Sequence, residues 1–111
     1  NGYTYSVGSL SIEKGKDLLD VSNWYKAPAP VLSSYSVEGE YGPGHNAFFT
    51  NEHGDVMITY HAEPTMRGSK RCTAIRRVHF DVDGEPRFDM SHERDLNRDL
   101  AGVTMRVVVQ Q

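Results

Sequence analysis

Apolar and polar positions along this chain alternate mostly with period two, the spacing of strands rather than helices. Residues 3–12, YTYSVGSLSI, set Tyr3, Tyr5, Val7 and Ser9 on one side and Thr4, Ser6, Gly8 and Leu10 on the other. This predicts a strand whose small-residue face admits close approach of another sheet. The next stretch, EKGKDLLDVSNW, is too short and too interrupted for a free-standing helix. It predicts an ordered connection pinned by Trp24, with Asp17 or Asp20 capping a single turn. Pro28, Pro30 and Pro43, with Gly39, Gly42 and Gly44, make residues 26–44 a long loop holding a short strand at residues 31–33.

The clearest hairpin is HNAFFT, NEHGD, VMITYHA. A loop at residues 51–55 pairs Thr50 with Val56, and an unbroken register then sets His45 opposite His61. Ala47, Phe49, Met57 and Thr59 share the histidines' face, and Asn46, Phe48, Val56, Ile58 and Tyr60 take the other. Apolar residues on both faces predict a hairpin sandwiched between layers. A second hairpin joins a strand at residues 73–80 to a short one at residues 86–88 through Asp83-Gly84. SHERDLNRDLAG reads as loop or one helical turn, and residues 103–109, VTMRVVV, as a strand that must be paired or covered.

Composition adds exclusions. The chain has 111 residues, 38% hydrophobic and 24% charged, within the range of ordinary globular domains. No apolar run reaches the roughly 20 residues that cross a bilayer, and NGYTYSVGSL lacks the basic start and apolar stretch of a signal peptide. Twelve basic against fifteen acidic residues leave a net charge of −3, with no global field to recruit nucleic acid or an anionic membrane. The single cysteine, Cys72, cannot close an internal disulfide, which mildly favours a reducing, cytoplasmic compartment over secretion.

Three constellations could carry chemistry. His45 and His61 face across the first hairpin; His61 reads more readily as part of a polar network, whereas His45, beside glycines, is open to either a functional or a structural role. Their spacing matches no metal signature. Glu38 and Glu40 form an E-x-E of the kind that could supply one carboxyl of a glycosidase pair, although solvated loop charge is the plainer reading. Arg67, Lys70, Arg71, Arg76 and Arg77 form a basic run that reads as a solvated face before it reads as a nucleic-acid patch. Within it, Arg71 stands at a loop-to-strand junction where a guanidinium fork can hold a carboxylate or sugar hydroxyls, and Cys72 reads as buried and inert.

The order DLLDVSNWYK, PVLSS, EYGPGHNAFF, DVMITYHAE, RCTAIRRVHFDVDGEPRF resembles the C-terminal portion of glycoside hydrolase family 43, the arabinofuranosidase and xylosidase group, from about Tyr3 to Phe88. Its most specific pieces are GPGHNAFF and YHA. The resemblance implies an all-β chain, part of a five-bladed β-propeller, with residues 1–111 a C-terminal segment of the catalytic domain. A blade takes about 40–45 residues, so this segment is roughly the last blade and part of the one before. The activity implied is inverting hydrolysis of arabinose- or xylose-containing polysaccharides, with arabinan, xylan or their oligosaccharides and the missing blades as partners. The acid and base are expected upstream of Asn1, so no catalytic residue carries over. His45 is similar to a histidine that points into the central channel, where calcium is a possible ion, and Arg71 to an arginine that reaches the bound sugar. Beside that arginine, Cys72 stands where related xylosidases often have Glu. The alternative is a stand-alone β-sandwich carbohydrate-binding module, with Trp24, Tyr35 or Tyr41 as stacking platforms.

Overall fold

The computed structural model describes residues 2–67, 70–89, 95 and 104–110. These form strands β1 (Leu10–Ile12), β2 (Trp24–Lys26), β3 (Tyr41–Thr50), β4 (Val56–Glu63), β5 (Cys72–Arg77), β6 (His79–Phe80) and β7 (Pro86–Arg87), with 3₁₀ turns at Gly2–Thr4 and Val21–Asn23. Strands β1 and β2 pair, β3, β4 and β5 make an antiparallel sheet in that order, and β6 pairs with β7. The all-β expectation holds.

The connection before β2 forms as its sequence predicts. Asp20 caps the second 3₁₀ turn by accepting from Ser22 N at 2.9 Å, Asp17 accepts from Leu19 N at 2.9 Å, and the Trp24 indole donates to Leu18 O at 3.0 Å. The strand expected over residues 3–12 does not run through. Its first residues coil into the Gly2–Thr4 turn, and Val7 makes an isolated bridge to Leu32, a single bridge where a short strand is expected at residues 31–33. Only Leu10–Ile12 remains to pair with β2. Gly8 faces open space, so the small-residue face is not an approach surface.

Alternation in β4 builds the core. Ile58, Tyr60 and Ala62 are buried with Leu32, Val37 and Val78, and Val7, Val56, Ala74 and Phe88 pack around them. Ile58 and Leu32 each keep 1% of their surface exposed, and burying such a side chain contributes roughly 1.5–3 kcal/mol. The hairpin is not sandwiched as expected. Phe48 meets the Phe88 ring at 6.0 Å, yet Phe48 and Phe49 stay 54% and 44% exposed. One face of the hairpin carries the core and the other faces outward.

The strand expected over residues 73–80 is divided at Val78, whose N–H donates to Val56 O at 2.8 Å while its side chain enters the core. The Asp83-Gly84 turn forms between β6 and β7, with Gly84 at φ 81°. Asp81 Oδ1 accepts from Glu85 N at 2.9 Å and Asp83 N at 3.0 Å, and Oδ2 accepts from Arg87 Nη2 at 2.6 Å. The Glu85 N–H and the Arg87 guanidinium hold this carboxyl below the usual aspartate range. Of the strand expected at residues 103–109, the described residues 104–110 carry no ladder. Met105, Val107, Val108 and Val109 are 71–80% exposed. High β-propensity makes a strand only where a partner strand accepts its hydrogen bonds. The SHERDLNRDLAG stretch lies outside the described residues except for Asp95.

Candidate functional site

The site forms where β3 departs from a regular ladder. Thr50↔Val56 and Ala47↔Thr59 pair as the hairpin loop dictates, but Gly44, not His45, lies opposite His61, and Tyr41 lies opposite Glu63, with register irregularities on either side of Gly44. His45 is thus displaced from the expected cross-strand position. It takes φ 51°, the one non-glycine residue with positive φ among those described, a conformation that costs of order 1–3 kcal/mol and marks functional sites more than framework. Gly42 also turns left-handed, at φ 59°, and a Cβ there would collide with the Gly2 carbonyl, so glycine is required twice over. Ser34 fixes this segment: its buried hydroxyl accepts from Gly42 N at 2.7 Å and donates to Tyr3 O at 2.6 Å.

Side chains collect around the displaced histidine. The His61 ring stacks on Tyr5 at 5.4 Å and 21°, and His45 lies tilted 6.5 Å from His61. A Cβ on Gly44 would strike the Tyr5 ring, so the second glycine of the motif gives this ring its place. Burial first, then the charges of Arg71 and His45, hold the His61 imidazole below its ordinary pKa against the opposing pull of Glu63. His61 therefore stays neutral to more acidic pH than a free histidine. Arg71 is exposed, one residue before β5. The structure brings His45, His61 and Arg71 into one region, with Tyr5 as a member that sequence reasoning placed on a strand face and did not connect to the histidines.

Glu40 has partners that the E-x-E pattern does not reveal. Its side chain is 20% exposed and bridges to Arg76, which is 14% exposed. One carboxylate oxygen accepts from the Tyr60 hydroxyl and the other from Arg76 Nη2, while Arg76 Nε donates to the Tyr60 oxygen at 2.8 Å. Burial, then the Glu40 hydrogen bond, raises the Tyr60 hydroxyl against the opposing effect of Arg76. Glu40 is therefore not solvated loop charge, whereas Glu38 is exposed. Nor is the basic run a uniformly solvated face: Arg76 joins this network, and Arg77 Nη2 meets Asp95 Oδ1 at 2.7 Å. Arg77 and then His79 outweigh burial and keep Asp95 below the usual range. His79 Nε2 lies 2.8 Å from the same oxygen, but without the alignment of a hydrogen bond. Arg67, Lys70 and Arg71 are exposed.

Cys72, expected to be buried, is exposed, because β5 begins there at the rim of the sheet, opposite Ala62. Of the proposed sugar platforms, Trp24 is half-buried and committed to Leu18. Tyr35 is 84% exposed and accepts from the Tyr3 hydroxyl. Three separate small sheets do not make a sandwich. Calcium takes six to eight oxygen ligands. His45 and His61 offer ring nitrogens, and among the described residues no group of three or more His, Cys, Asp or Glu converges. These residues do not by themselves make a calcium site.

Comparison with known proteins agrees with this architecture. The family model for glycosyl hydrolases family 43 matches residues 1–86. The extracellular exo-α-(1→5)-L-arabinofuranosidase of Streptomyces avermitilis is 33% identical over 93 residues, which cover 76% of this chain and 19% of that protein. Its namesake from Streptomyces chartreusis is 43% identical over 60 residues, 52% of this chain and 18% of that protein. The crystal structure of an α-L-arabinofuranosidase from Lactobacillus brevis superposes with a TM-score of 0.64 at 31% identity, covering 73% of this chain and 27% of that one. The chain thus spans about a fifth of the length of the curated relatives it matches. Two of those relatives are named as extracellular, which overturns the cytoplasmic expectation. That expectation leaned on Cys72, and a lone thiol can form no internal disulfide in any compartment. With its family model matched across residues 1–86, and an all-β structure that is part of the family's β-propeller, this chain belongs to glycosyl hydrolases family 43.

Proposed function

We propose that the chain is a C-terminal segment of a secreted α-L-arabinofuranosidase that releases arabinose from arabinan-type polysaccharides with inversion. The observation that carries the reading is the GPGH segment: His45 held left-handed beside His61 and Arg71, in a chain whose relatives are arabinofuranosidases. Inversion needs an acid and a base about 6.5–9.5 Å apart, with water between the base and the sugar. Glu40 is committed to Arg76 and Tyr60, so it supplies neither. Both groups come from blades outside this chain. His45 lines the channel beneath them and helps set the surroundings of their carboxyl groups. Arg71 is exposed at the mouth of β5, where its fork of donors suits sugar hydroxyls. Any calcium in the complete enzyme takes its oxygen ligands from elsewhere, and no step runs through it.

The test is hydrolysis of 4-nitrophenyl α-L-arabinofuranoside by the full-length enzyme, with the anomer of the released sugar followed by NMR. The β-anomer is expected first, and the 111-residue chain alone is expected to be inactive. Preference for a β-xylopyranoside, or retention of configuration, overturns the reading. Arg71→Ala is expected to raise KM or lower kcat by about 10- to 150-fold, the worth of a charged hydrogen bond of roughly 1.5–3 kcal/mol; unchanged kinetics remove Arg71 from the sugar site.

A further inference from the structure

Between Tyr41 and Ala47, β3 advances six residues while β4 advances four, from Glu63 to Thr59. Two surplus residues must therefore be stored in this short stretch. Each irregularity stores one, and each holds one left-handed residue: Gly42 lies between Tyr41 and Gly44, and His45 between Gly44 and Ala47. A bulge of this kind re-aims the side chains beside it. The competing state is simple. If the slack slipped back toward the 33–40 loop, the regular register from Ala47↔Thr59 would continue and His45 would pair with His61. Because side chains alternate with period two, a one-residue slip turns each of them to the opposite face.

Something must hold the slack in place, and the hydrogen bonds locate it. Glu40 directly precedes β3, and its carboxylate reaches Tyr60 on β4 and Arg76 on β5, so one side chain ties the start of β3 to both neighbouring strands. The regular pairs from Ala47 to Thr50 anchor the other end. Ser34 grips the first bulge midway, at Gly42 N. Arg76 lies opposite Ile58, the most buried residue of β4, so its own position is set by the core.

We propose that Glu40, through Arg76 and Tyr60, is a positioning residue that traps two surplus residues in β3 and thereby presents His45. It touches no reacting atom and acts on catalysis through the histidine; in this respect the inference rests on the function proposed above. Glu40→Gln keeps the size of the side chain and removes the charge that holds Arg76.

The experiment uses the full-length enzyme. The crystal structure of Glu40→Gln is expected to show His45 out of the left-handed region and the 41–47 register shifted toward His45↔His61. In kinetics, kcat is expected to fall by about 10- to 100-fold, the cost of misplacing a group by about an ångström, with KM within about twofold because the sugar-contacting groups remain. The pH profile is expected to move as it does in His45→Ala, and Glu40→Gln to cost nothing further in the His45→Ala background. Retention of the bulges and of His45's conformation in Glu40→Gln overturns the proposal, as does an equal fold-loss in both backgrounds. A wild-type enzyme inert toward arabinofuranosides overturns the proposed function instead and leaves the structural readout to decide the clamp. Should Glu40→Gln fail to fold, Tyr60→Phe loosens the same carboxylate and is read in the same way.

Discussion

The sheet β3–β4–β5 and the sheet β1–β2 are both antiparallel ladders, but different forces hold them. In the first, alternate residues of β4 are buried and a charged network ties the residue before β3 to β4 and β5. In the second, Leu10, Tyr25, Leu18, Leu19 and Val21 on and around the two strands are 58–94% exposed, and order comes from local hydrogen bonds by Asp17, Asp20 and Trp24. Local capping fixes the path of a connection without supplying burial energy. Burial in a shared core commits several strands at once, and a stable platform for His45 requires this second kind of order.

Substitutions can break this contrast or sharpen it. The largest effect is expected from Ile58→Ala, at about 2–5 kcal/mol by denaturant unfolding of the full-length enzyme, since this side chain is 1% exposed and centred under the sheet. A cost below about 1 kcal/mol would show that the core does not depend on β4. Ser34→Ala is next, at about 1–3 kcal/mol, because it strands the buried Gly42 N–H and releases the Tyr3 carbonyl. Restoration by Thr, which keeps a hydroxyl, would assign the loss to those bonds. Leu19→Ser is smallest, within about 0.5 kcal/mol for a residue 94% exposed. A loss of core size at Leu19 would mean that another blade covers it, and would move that region into the class of the first sheet.

Legibility in the sequence followed the range of each interaction. The 51–55 loop, the Asp83-Gly84 turn and the Asp20-capped connection were readable because donor and acceptor lie within a few residues of each other. The Glu40 network joins residues 20 and 36 positions apart, and nothing within E-x-E itself distinguishes a solvated carboxylate from a bridging one. The bulges were hidden for a related reason. A regular register from the hairpin loop is the default, and the contacts made at the far end of β3 by Glu40 and Ser34 join residues distant in sequence. At residues 104–110 the failure was of the opposite kind: propensity favoured a strand, but a ladder needs a partner, and propensity does not provide one.

The sequence by itself determined the all-β character, the hairpin turns, and, through GPGHNAFF and YHA, the family. Those depend on period-two alternation, on glycine's access to positive φ, and on residue order, which are properties of the chain before it folds. The tertiary structure alone decided which face of the hairpin was buried, where Glu40 spent its charge, and that Gly44 rather than His45 lies opposite His61. Such outcomes turn on competition between distant groups for the same partners, and the winner is set by burial and geometry once the strands have met.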